Sequence, residues 1–113
     1  MVETLFIVTD DPRRSHRPAE AIRIAAGVGA WKKVATHLYF RGAAILCLSE
    51  FPDDLVLGSN IERYLPTAAE GANVLVQEGT ELALVIRSSV KFVPINDARL
   101  ASIAARMKYV LHF

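Results

Sequence analysis

Short apolar runs rich in β-branched side chains recur along this chain, and segments of helical or turn-like composition separate them. The runs are TLFIVT (4–9), KVATHLYF (33–40), ANVLVQ (72–77), VKFVPI (90–95) and YVLHF (109–113). A strand buried on both faces reads as a near-continuous apolar run, because neither face needs to meet water. Strand and helix in alternation predict an α/β fold with right-handed crossovers. The expected architecture is a three-layer α/β/α sandwich with a five-stranded, mostly parallel sheet. At 113 residues the chain suits one domain, 1–113.

The segments between the runs carry their own signatures. Residues 18–30 predict a helix, with Pro18 at a first helical position and Glu20 in the first turn. Ala19, Ile22, Ala26 and Gly29 form a narrow, small-sided stripe that suits close packing on a sheet. Asn96 is a good N-cap for a helix over 97–107, where Leu100, Ile103, Ala104 and Met107 share one face. NIERYLPTAAEG (60–71) predicts a helix interrupted near Pro66 and stopped at Gly71. EGTELALVIRS (78–88) predicts a short helix, and SEFPDDLVLGSN (49–60) a surface loop. Periodicity leaves residues 42–49 open between helix and strand.

Composition removes several function classes. Hydrophobic residues make up 52% of the chain and charged residues 22%, which fits a folded core and not a disordered segment. The formal net charge of +1 lacks the basic excess of a nucleic-acid or membrane-surface binder. One cysteine permits no intrachain disulfide, and no run approaches the length of a bilayer span. A cytoplasmic protein with neither nucleic-acid nor membrane partners is expected.

Two places carry candidate chemistry. TDDPRRSHRP (9–18) follows the first strand, at the sheet end where parallel α/β proteins bind ligands. Thr9, Asp10, Arg13, Arg14, His16 and Arg17 are the candidate ligand-binding residues there. The arginines suit bidentate grip on an anion, and the following helix N-terminus adds its positive dipole end. Asp10 and Asp11 can also neutralise two of those arginines. Cys47 is the sole thiol and the one candidate catalytic nucleophile. Its flanks are mostly apolar, so a buried and inert side chain is the competing reading. His16, His37 and His112 lie on separate elements without metal-ligand spacing, so no metal and no cofactor is expected.

Three stretches in this order resemble the DsrE/DsrF/DsrH-like family of small sulfur-metabolism proteins. They are TLFIVTDDP, HLYFRGAAILCL and the tail ARLASIAARMKYVLHF. The resemblance implies a flavodoxin-like five-stranded parallel sheet and a cytoplasmic homo-oligomer, with other sulfur-relay subunits as further partners. It also implies a persulfide-carrying cysteine near the end of the third strand. This chain departs from that pattern, because Gln77 stands at the matching position, where it joins the candidate ligand-binding residues. An amide cannot form a persulfide. The expectation is an accessory or non-catalytic DsrE-like protein, an oligomeric subunit or small-ligand binder. The alternatives are a persulfide carrier using Cys47 and an anion- or nucleotide-binding module using loop 10–17. Leu55, Val56 and Leu57 interrupt an otherwise polar loop and suggest an interface.

Overall fold

The computed structural model describes residues 2–50 and 52–113. Five strands form one parallel sheet: β1 (Val2–Val8), β2 (Val34–Phe40), β3 (Ala72–Gln77), β4 (Val93–Ile95) and β5 (Tyr109–His112). Their order is β4-β3-β2-β1-β5, so β2 is central and β4 and β5 are edges. The helices are α1 (Arg17–Gly29), α2 (Gly58–Gly71) and α3 (Asp97–Arg106). From β1 to β4 the chain steps one way across the sheet, then returns to place β5 beside β1. Right-handed crossovers require that reversal to change faces. Accordingly α1 and α2 pack on one face, over Phe6, Val8, Leu38, Phe40, Val74 and Val76. Among the described residues the other face carries α3 alone, over Leu5, Tyr39, Leu75 and Ile95. The three-layer sandwich is as the alternation predicts.

Local sequence explains most element boundaries. In α1, Ala19, Ile22 and Ala26 of the small-sided stripe are buried. Asn96 caps α3 by accepting from the Arg99 N–H at 2.8 Å. Replacing Asn96 by Ala should cost about 1 kcal/mol in urea denaturation, the usual value of a lost N-cap. The open segment 42–49 forms a 3-10 helix, Gly42–Leu48, entered through Gly42 at φ +58. That left-handed conformation suits glycine.

Three expectations need correction. The helix over 60–71 is not interrupted at Pro66: α2 runs through it and begins earlier, at Gly58. Ile61, Leu65 and Ala68 form its buried stripe, whereas Pro66 lies on the exposed side. There the carbonyl freed by proline's missing N–H can meet water, and packing of the opposite face holds the helix together. The short helix expected after β3 is present but confined to a 3-10 helix, Glu81–Val85, with Thr80 Oγ1 accepting from the Leu82 N–H at 3.2 Å. The fourth strand spans only Val93–Ile95, because β4 is an edge that pairs with β3 at Leu75–Gln77 alone. Pro94 is tolerated on such an edge.

The apolar triplet in the 49–60 loop divides. Leu55 packs against the core, while Leu57 is exposed and has φ 56. Phe51 of that loop lies outside the described residues. Among the described residues no helix is long and apolar enough to cross a membrane.

Candidate functional site

The strand ends bring together residues distant in sequence. At the carboxyl edge of the sheet lie Thr9 and Asp10 after β1, Arg41 after β2, Gln77 at the end of β3, Asp97 after β4 and Phe113 after β5. Gln77 Oε1 accepts from the Gly42 N–H at 3.0 Å and so pins the turn that leaves β2. The Arg41 guanidinium donates to Asp97 Oδ1 at 2.7 Å and to Tyr39 Oη at 3.2 Å. Since β3 lies between β2 and β4, this ion pair bridges the end of β3 beside Gln77. Hydrogen bonding to Arg41 holds the Asp97 carboxyl below its usual range, and the same bond holds Arg41 further above its own.

The arginine loop is largely satisfied from within. Arg13 forms a fork with Asp11, with Nε to Oδ1 at 3.0 Å and a terminal nitrogen to Oδ2 at 2.9 Å. The Arg13 side chain, and then its backbone N–H, hold the Asp11 carboxyl below its ordinary value. Asp10 accepts from the Ser15 hydroxyl at 2.9 Å and lies 3.6 Å from Arg17 Nε. Arg17 also donates to the His112 carbonyl at 2.6 Å and sits over the Phe113 ring. The backbone N–H groups of Thr9 and Asp10 donate to the Phe113 carbonyl, at 2.8 and 3.2 Å. The loop therefore fastens the chain's last residue to the end of β1. Arg14 and His16 remain exposed, and Arg14 has no ion partner among the described residues.

Cys47 lies elsewhere. It is fully buried in the core beneath α1 and α2, within the 3-10 helix. Burial pushes its thiol from 9.0 up to about 12. The sheet alternation also separates the histidines. His37 lies on the α3 face, 3.3 Å from Glu3 Oε1 and 3.2 Å from Asn73 Nδ2. His16 precedes α1 and His112 ends β5.

The structure thus gathers Thr9, Asp10, Arg17 and Gln77 at one edge of the sheet and leaves Cys47 out. Sequence reasoning missed Arg41, Tyr39 and Asp97 as members of that edge. A signal for two of them was present, since Arg41 and Asp97 fall just past the ends of strands, where ligand-facing residues gather.

An open parallel sheet in the order 4-3-2-1-5, with two helices on one face and one on the other, is an α/β sandwich of DsrE-like fold. It is similar to the crystal structure of the E. coli protein YchN, with a TM-score of 0.78 and 17% identity over 100% of both chains. At that identity the likeness speaks for the fold. No family model and no curated protein matches the chain.

Proposed function

We propose that this chain is an accessory DsrE-like protein linked to sulfur metabolism, acting as an oligomeric subunit or ligand binder without thiol chemistry of its own. The carrying observation is the state of Gln77. Its amide oxygen is engaged by the Gly42 N–H, where the family resemblance leads one to look for a sulfur-carrying cysteine. The remaining thiol, on Cys47, is buried and held protonated, which disfavours attack on a sulfur donor. Support for a subunit role comes from edge strand β5, where Tyr109, Val110 and Leu111 are all exposed. An apolar edge strand is a ready surface for association.

The test is mass spectrometry of the native protein after incubation with inorganic polysulfide. The expected result is an unmodified chain. A stable one-sulfur adduct on native Cys47 overturns the proposal and establishes the persulfide-carrier reading instead. Anion binding at loop 10–17 has weaker support, because Asp10 and Asp11 already engage Arg17 and Arg13.

A further inference from the structure

The face of the sheet that carries α3 is only partly covered. A helix is about 10 Å across, whereas strands lie about 4.8 Å apart, so one helix cannot cover five strands. A groove of about 520 Å³ runs along α3 over β3 and β4. Its floor is apolar: Leu75, Ile95 and Ile103 are buried there, and Val93 remains 57% exposed. Volumes of this order suit small-molecule sites.

The rim has one sign of charge. Arg99 and Arg106 flank Ile103 on α3 at helical spacing, about 10 Å apart along the axis. Lys91 lines the groove from the segment leading into β4. Among the described residues none of these three cations has an ion partner, and no carboxylate lines the groove. Arg13, Arg17, Arg23 and Arg41 each face an Asp or Glu, whereas Arg14, Arg63, Arg87, Lys32, Lys33 and Lys108, like these three, have no ion partner among the described residues. What sets Lys91, Arg99 and Arg106 apart is their grouping around one apolar floor whose lining holds no carboxylate.

We propose that this groove binds an amphipathic organic anion: a carboxylate held by Arg99 and Arg106, on an aliphatic or aromatic body lying over Leu75, Val93 and Ile103. Arginine forks match a carboxylate in two bonds, and an apolar body takes its gain from leaving water. Neither half suffices alone. An exposed ion pair is weak, and a neutral apolar molecule leaves the cations uncompensated. The groove lies on the α3 face, so this inference does not depend on the chemistry of Gln77 or Cys47.

Titration with octanoate, followed by amide chemical shifts in nuclear magnetic resonance, tests it. Octanoate should bind saturably in the millimolar range or tighter, with the largest shifts at Leu75, Val93 and Ile103. Acetate and octanol should each bind at least tenfold more weakly. The double variant Arg99→Gln, Arg106→Gln should weaken octanoate at least tenfold while keeping the wild-type melting temperature, because both side chains are exposed. If that variant melts early, Arg106→Gln alone carries the comparison, with a weakening of severalfold. The proposal fails if octanoate does not saturate, if octanol binds as well, if the shifts map to another face, or if the arginine variants bind undiminished.

Discussion

Iodoacetamide should alkylate native Cys47 at least about a hundredfold more slowly than the same cysteine in the unfolded chain at neutral pH. Two effects act in the same direction. Burial raises the thiol from 9.0 to about 12, which lowers the thiolate fraction about a thousandfold. A more basic thiolate is intrinsically more nucleophilic, and that recovers roughly a factor of ten to thirty. The side chain is also fully buried, so reagent reaches it only after local opening. Reaction through opening bypasses the raised pKa but carries the opening free energy, which for a core position approaches the global one, so that route is also suppressed. Rates measured by mass spectrometry in native buffer and in urea check the ratio. A native rate within tenfold of the unfolded one would place Cys47 at an accessible, reactive site.

The same shift sets a pH dependence. The folded-state pKa lies above the unfolded one, so between the two values the folded state binds more protons. The stabilisation is therefore complete below about pH 9 and is lost as pH rises through about 12. Destabilisation on that alkaline limb should shrink in Cys47→Ala, which lacks the group.

Much of the fold was legible because the relevant signals are local. The run ANVLVQ coincides with β3, Ala72–Gln77, since a strand flanked on both sides must be apolar on both faces. Asn96 announced α3 because an N-cap acts within one turn. Pro66 misled for the complementary reason: its cost is local, but the packing of Ile61, Leu65 and Ala68 that overrides it is tertiary. The arginine loop was legible in outline, because Asp10 and Asp11 stand within a few residues of the arginines they engage. Arg41 and Asp97 are 56 positions apart, and only the strand order brings them together across β3. The groove beside α3 was equally hidden. Nothing local in the sequence sets Arg99 and Arg106 apart; only the partly covered sheet beside α3 gives them an apolar floor.

Truncating Phe40 to alanine should cost about 3–5 kcal/mol, a large part of the roughly 5–15 kcal/mol that holds a typical domain folded. Phe40 ends β2, the central strand, and its ring is completely buried on the face covered by α1 and α2. Removing it forfeits the transfer energy of the ring and leaves a cavity that a sheet paired on both sides cannot collapse to fill. Leu84→Ala is the matched control. Leu84 is as apolar as a core residue but 87% exposed, so its truncation should change stability by no more than about 0.5 kcal/mol. Urea denaturation monitored by circular dichroism gives both values, with the slope of the transition expected to stay constant. A cost at Phe40 near that at Leu84 would mean that β2 does not sit at the centre of the sheet. With β2 displaced, the bridging of Arg41 over β3 to Asp97 would lose its basis as well.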